Sequence, residues 1–198
     1  MQSPFPSLDF IREQLASINR RLQHRDGFRR AAVLLPLIPV SGDWEILLTR
    51  RNSDLPHHRG QIAFPGGSVD EGENCMQTAL REAHEEIGLD ESRVEVLGCH
   101  DDIWTPTGFV ISPVVGVLPD AEGLQPNPAE VTRLFTVPLS FFADDTTVQR
   151  QFIRHEGVNR EVFFYPWDGE TIWGATALMI RNFLTLLGMI GDVPKPIS

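Results

Sequence analysis

The strongest pattern in this chain is an apolar run over residues 31–40, a turn signal at Ser41-Gly42-Asp43, and a second apolar-rich run over 44–49. Two runs rich in branched aliphatics with Gly and Asp between them predict a strand pair. Shorter strands are predicted over 62–64, 94–99, 109–118 (its alternation broken by Pro113) and 131–138, with a hairpin of 151–155 and 161–166 about Gly157. Helical spacing appears in three places. Leu8, Ile11, Leu15, Ile18 and Leu22 predict an amphipathic helix, which a basic stretch over 20–30 follows. Met76, Ala79, Leu80, Ala83 and Ile87 predict a second helix, and Leu178, Met179, Phe183, Leu186 and Leu187 a third over 176–187. A short helix is expected to begin at 138–142, and segments 50–60, 101–108 and 119–128 read as loops. There is no internal repeat or low-complexity tract. Strands interleaved with helices in this order predict an α+β fold, a mixed sheet with helices on its faces. The expected divisions are an N-terminal helical extension, 1–30, a main domain, 31–190, and a tail, 191–198. The first helix is expected to pack on the domain or on a partner; Ile11 and Leu15, expected to be exposed on it, would offer a homodimer contact.

Composition narrows the function classes. A chain of 198 residues, 41% hydrophobic and 22% charged, suits one soluble domain with a sizeable core. Seventeen basic against twenty-seven acidic residues leave a net charge of -10, which argues against a nucleic-acid or anionic-membrane binder. A polyanionic substrate would need local arginines or a metal to offset that field. The run over 31–40 is too short to cross a bilayer, and the N-terminal stretch lacks a signal-peptide core. Cys75 and Cys99 have neither metal-ligand spacing nor a disulfide framework, so a cytoplasmic location and buried, unreactive thiols are expected.

The second helix carries the candidate chemistry. Glu82, Glu85 and Glu86 lie at i, i+3 and i+4 and cover roughly one third of its circumference. Three carboxylates there repel one another unless a cation sits among them, and hard oxygen ligands suit Mg²⁺ or Mn²⁺ bridging to phosphates. Arg81 is placed to pair with Glu85 at i+4. The apolar stripe is expected to turn the glutamates to the opposite side. Gly66 and Gly67 precede the helix, where absent side chains let the backbone approach a cation and the Gly67 carbonyl can serve as a ligand. Gly88 follows as a stop signal.

The segment from Gly67 to Leu89 resembles the Nudix box, in which Gly, five residues, Glu, seven residues, Arg-Glu, an aliphatic, any residue, Glu-Glu, any residue, Gly and an aliphatic recur. Gly67, Glu73, Arg81, Glu82, Glu85, Glu86, Gly88 and Leu89 fall in register, and Ala83 stands where a larger aliphatic is usual. The resemblance implies an α/β/α sandwich and hydrolysis of a phosphoanhydride with Mg²⁺ or Mn²⁺. Glu82 and Glu86 would hold the ion, with Glu85 sharing and Arg81 orienting Glu85. Glu73 would be structural. The general base would be Glu85 or Glu130, the latter just before a strand, since some members of the family use a late-loop glutamate.

Upstream, residues 47–67 are similar to the additional signature of the coenzyme A pyrophosphatases within that superfamily. Leu47, Leu48, Thr49, Arg51, Gly60 and Phe64-Pro65-Gly66-Gly67 match, whereas Asn52 replaces Ser or Ala and Pro56 replaces an Arg. His57, His58 and Arg59 beside Pro56 are residues that suit phosphate. Trp173-Gly174-Ala175-Thr176-Ala177 resembles the C-terminal part of the subfamily. On this resemblance Arg51 and His58 are expected substrate contacts, and coenzyme A or its derivatives the substrate, cleaved to 3′,5′-ADP and 4′-phosphopantetheine. Trp104 and Phe109 would stack on adenine or line the pantetheine path. The alternatives are a Nudix enzyme acting on nucleoside triphosphates, ADP-ribose or dinucleotides, and a non-catalytic Nudix-like module.

Overall fold

A strand can be apolar along its whole length only when both of its faces are covered. In the computed structural model, which describes residues 5–54, 60–155 and 158–191, that strand is β1 (Arg29–Val40), buried from Ala31 to Ile38. It lies at the centre of an eight-stranded mixed sheet, counted among the described residues. On one side β1 runs parallel to β7 (Phe109–Val117), from Arg29 opposite Phe109 to Leu37 opposite Val117. On the other side its two halves have different antiparallel neighbours. The early half meets β4 (Gly66–Ser68), with Ala32 opposite Gly67, and the late half meets β2 (Asp43–Arg51). Pro36 falls between those two pairings, where a missing donor costs nothing. The sheet is completed by β3 (Ile62–Ala63), β5 (Glu95–Cys99), β6 (Ile103–Thr105) and β8 (Val131–Pro138). A smaller sheet joins β9 (Gln149–His155), β10 (Val158–Trp167) and β11 (Glu170–Trp173).

Alternate residues of β1 feed separate cores. Ala32, Leu34 and Ile38 pack beneath α2 (Cys75–Ile87) with Ala79, Ala83 and Ile87. Val33, Leu35 and Leu37 face α1 (Leu8–Ser17), α3 (Leu139–Ala143), α4 (Gly174–Leu186) and the small sheet. The expected α+β architecture, with helices on both faces of a mixed sheet, is the one observed. The strands β4, β6 and β11 were not expected from sequence, because three or four residues carry no readable periodicity.

Two expectations about exposure are corrected. Ile11 and Leu15 are buried at 0% and 5%, inside the main core, so the dimer contact they were expected to offer does not exist. Helix α1 ends at Ser17 instead of continuing to Leu22, and its apolar face is spent on this chain. Trp44 Nε1 donates to the Pro6 carbonyl at 2.8 Å, and Arg12 pairs with Glu95 of β5, which fastens the helix in place. The second correction concerns α2, where Glu86 is buried at 2% and Met76 is 40% exposed. Ala79, Ala83 and Ile87 lie flat on the sheet, and Glu86, adjacent on the wheel, is drawn in with them.

Of the two thiols expected to be buried, Cys99 is buried and Cys75 is half-buried. Cys75 opens α2 and Cys99 closes β5, with their sulfurs 3.5 Å apart and Arg20 Nη1 3.7 Å from Cys75. The hydrogen bond to Cys99, and then Arg20, pull the Cys75 thiol below the usual thiol range, while Cys99 is pushed up by the same bond and by burial. Iodoacetamide at pH 7 should therefore alkylate Cys75 at least ~10-fold faster than Cys99, read by peptide mass spectrometry. Equal rates would refute the asymmetry.

Candidate active site

Helix α2 begins on a full capping box. The Asn74 side chain accepts from Met76 and Gln77, and Gln77 returns a bond to the Asn74 backbone. It ends at Gly88, φ 64°, whose left-handed backbone favours glycine. With both ends held, the glutamates are presented at a set height above β4.

Arg81 organises that face. Its Nε donates to Glu73 at 2.8 Å and Nη2 donates to Glu73 at 3.1 Å, a two-pronged pair. Its Nη1 reaches Glu82 at 3.0 Å and Glu85 at 3.4 Å, and Nη2 also reaches the Ser68 carbonyl at 3.2 Å. The expected Arg81–Glu85 contact is therefore present, as one branch of a wider fan. Glu73, which resemblance alone had marked as structural, anchors it. Arg81 and Thr78 hold the Glu73 carboxyl down to about 2. Its ionised form thus stabilises the fold above the ordinary carboxylate range, and that contribution disappears as the pH falls from about 4.5 through about 2. The deficit in Tm of Glu73→Gln relative to wild type should accordingly shrink across that interval; a deficit independent of pH would refute the ion pair.

The three glutamates occupy different environments. Glu85 is half exposed at 52%, Glu82 is mostly covered at 16%, and Glu86 is enclosed at 2%. Burial is the main cause that pushes Glu86 up to about 7, against the opposing pull of Arg51 and of the Gly66 N–H. Arg51 Nη1 lies 3.1 Å from Glu86, and Gly66 N–H donates to the other oxygen at 3.1 Å. Burial also raises Glu82, and the charges of Glu85 and Glu130 add to that rise. A side chain at Gly66 would strike the β1 backbone at Ala32 and Val33, so this turn requires glycine there, and a side chain at Gly67 would push the Glu82 carboxylate aside.

Glu130 belongs to the same electrostatic unit, since its charge raises both Glu82 and Glu86. The loop that delivers it is tied down by two residues that sequence reasoning passed over. Asn127 N–H donates to the Glu86 carbonyl at 2.8 Å and its side chain reaches Glu130 at 3.4 Å. Asn52 N–H donates to the Glu130 carbonyl at 2.7 Å and its side chain to the Pro128 carbonyl at 2.9 Å. Asn52, a departure from the expected Ser or Ala, thus fastens the late loop to the end of β2. The Asn127-Pro128 turn signal was the available clue. His58 lies outside the described residues, as does Pro56. Trp104 already carries the guanidiniums of Arg25 and Arg160 against its ring, at 3.8 and 3.9 Å from the centroid, and Arg29 lies over Phe109 at 4.4 Å. Among the described residues, no three His, Cys, Asp or Glu side chains surround a common point where an ion could sit. Glu82 is engaged with Arg81 and Glu86 with Arg51.

A glycine turn leads into a capped helix with an enclosed, a mostly covered and a half-exposed glutamate, and Asn127 ties the loop of Glu130 to that helix. The NUDIX domain model matches residues 27–156, which span β1 through β9. The chain belongs to the NUDIX family. It is a Nudix hydrolase, an enzyme of pyrophosphate linkages. The uncharacterized Nudix hydrolase NudL of Photorhabdus laumondii is 39% identical over 178 residues, covering 88% of this chain and 94% of its own. NudL of Yersinia pestis is 39% identical over 155 residues, 78% of this chain and 77% of its own. Among solved structures, the Nudix hydrolase RenU of M. smegmatis superposes with a TM-score of 0.50 at 28% identity, over 58% of this chain and 73% of its own. DR0079 of Deinococcus radiodurans, at 15% identity and a TM-score of 0.52, covers 81% of this chain and 88% of its own and shows the same fold.

Proposed function

We propose that this Nudix hydrolase cleaves the diphosphate linkage of coenzyme A or its derivatives to 3′,5′-ADP and 4′-phosphopantetheine. The observation that carries this reading is the contact of Arg51 with Glu86 at 3.1 Å. It seats the segment that resembles the coenzyme A signature directly on the catalytic helix, where its residues can meet the substrate. Arg51, a quarter exposed, is the substrate-phosphate contact. His58 remains a proposed second contact.

The residues suit a hard divalent cation. Arg81 pairs with Glu82 and Glu85 and Arg51 pairs with Glu86, while burial, with a contribution from the charge of Glu130, raises Glu82 and Glu86. A side chain at Gly67 would displace the Glu82 carboxylate. Glu82 and Glu86, with Glu85 and the Gly67 carbonyl, would hold Mg²⁺ or Mn²⁺. When bound, the ion neutralises the diphosphate and acidifies a bound water. Arg81 keeps Glu82 and Glu85 in place. Glu130, bonded by Asn127 and by no arginine among the described residues, is the favoured proton acceptor over Glu85. On this assignment Glu130→Gln lowers kcat by at least ~100-fold with KM little changed, while Glu85→Gln costs less. The reverse ranking in steady-state kinetics would move the role to Glu85.

The deciding experiment incubates the protein with Mg²⁺ or Mn²⁺ and a panel of coenzyme A, ADP-ribose, nucleoside triphosphates and dinucleotides. Preferred release of 3′,5′-ADP from coenzyme A is the expected result. Turnover of the others with coenzyme A untouched would refute the substrate assignment.

A further inference from the structure

Cys75 and Cys99 are the chain's two cysteines, and the fold brings them together across 24 residues of sequence. Cys75 is the first residue of α2 and is half-buried, while Cys99 is the last of β5 and is buried. Their sulfurs stand 3.5 Å apart, so a bond of about 2.0 Å requires a closure of about 1.5 Å. Neither residue is locked in the middle of an element. Cys75 lies in the first turn of its helix, and Cys99 ends an edge strand whose pairing with β7 shifts register between Val96 and Gly98.

Arg20 decides which chemistry the pair suits. Its Nη1 lies 3.7 Å from the Cys75 sulfur, its Nε donates to the His100 carbonyl at 3.0 Å, and its Nη2 donates to Asp102 at 2.7 Å. The guanidinium is therefore held against the pair from both sides. A fixed positive charge beside a sulfur at a helix N-terminus favours the thiolate, which is the attacking form, and opposes a metal cation. Among the described residues no third Cys, His, Asp or Glu completes a metal site there. A half-buried thiolate in contact with a second thiol is an attacking cysteine with its resolving partner in place.

We propose that Cys75 and Cys99 form a reversible, peroxide-responsive disulfide that staples the first turn of the catalytic helix to the edge of the sheet. The Cys75 thiolate attacks one oxygen of hydrogen peroxide, forming an S–O bond and breaking the O–O bond. The departing hydroxide takes up the proton that the thiol had lost and leaves as water. The Cys99 sulfur then attacks the sulfenic sulfur of Cys75, forming the S–S bond and breaking the S–O bond, and the second hydroxide leaves as water with the Cys99 proton. Each sulfur gives up one electron, and the peroxide is reduced to two waters. A dithiol reductant reverses the bond by attack on Cys75, the more exposed sulfur. The staple holds whichever diphosphate the enzyme cleaves, so its test needs no substrate.

The full chain is treated with hydrogen peroxide, blocked with iodoacetamide and digested with trypsin. Residues 60–81 and 94–133 should appear as one linked peptide, lighter by two hydrogens than the sum of its parts. The link should form at least ~10-fold faster in the folded chain than in urea, because the fold supplies both the thiolate and the second sulfur at contact distance. The oxidised protein should melt about 5 °C above the reduced one, the effect of closing a loop of this length, and dithiothreitol should return it. In Cys99→Ser, Cys75 should stop at the sulfenic acid, trapped by dimedone; in Cys75→Ser, Cys99 should stay reduced. Sulfinic or sulfonic acid at Cys75 of the wild type in place of the link would overturn the proposal, and so would equal rates in the folded and unfolded chain. A link between two copies of the chain would do the same. An oxidised form that melts below the reduced one would overturn the staple.

Discussion

Replacing Glu86 by glutamine is expected to lower turnover roughly a thousandfold, the order of loss found when one electrostatic group is removed from a catalytic centre. The metal-free protein should nevertheless keep or gain thermal stability. Glu86 is 2% exposed, and burial lifts its carboxyl from 4.5 to about 7. A carboxyl raised in this way stabilises the fold while protonated, and that contribution is lost as the pH climbs from 4.5 through about 7. At pH 8 the wild type holds a buried charge that the amide lacks. The amide oxygen can still accept from Gly66 N–H, and Arg51 remains a quarter exposed to water. Steady-state kinetics with Mg²⁺ or Mn²⁺, and calorimetric melting at pH 8 without either, give the two readings. An active variant would remove Glu86 from the metal site. An inactive variant with a lowered Tm would mean that the residue is structural, and the pairing of lost activity with kept stability separates the two roles.

Asp102→Ala should produce the largest loss of stability, about 3–5 kcal/mol, because the partners of a buried charge are left uncompensated. The Asp102 side chain is fully enclosed. It accepts from Arg20 at 2.7 Å, Ser112 Oγ at 2.8 Å, Gln23 N–H at 3.0 Å and Arg30 at 3.3 Å. Burial works against its ionisation, yet the combined hydrogen bonds hold it below the usual carboxylate range. This single carboxylate fastens the segment after α1 to β1 and β7. The expected drop in Tm is about 10 °C for a chain of this size, with faster tryptic cleavage at Arg20 and Arg21. A change of only a degree or two would show that the segment is held by α1 packing alone.

The catalytic helix was legible because its information is local. Glu82, Glu85, Glu86 and the caps at Asn74 and Gly88 all lie within one element, where a period of 3.6 fixes which side chains are neighbours. The strand pair about Gly42 and the hairpin before β11 were legible for a similar reason. What failed to be read depended on partners distant in sequence. Ile11 and Leu15 have the same amphipathic spacing whether they cover this sheet or that of a second copy. Asn52 reads as a loop residue until the 127–130 loop is laid beside it. The surroundings of the Cys75 thiol are supplied by Cys99 and Arg20, which lie 24 and 55 residues away.

By itself the sequence determined the α+β class, the helix that carries the glutamates, the glycine turn before it and membership of the Nudix superfamily. Those are properties of spacing within short segments. The tertiary structure decided that the glutamates are not equivalent, with Glu86 enclosed, Glu82 mostly covered and Glu85 half exposed. It also decided that Arg51 meets that helix at Glu86 and that Asn127 ties the loop of Glu130 to it. Burial and long-range charge depend on which strands are neighbours, and strand order arises from the packing of the whole chain.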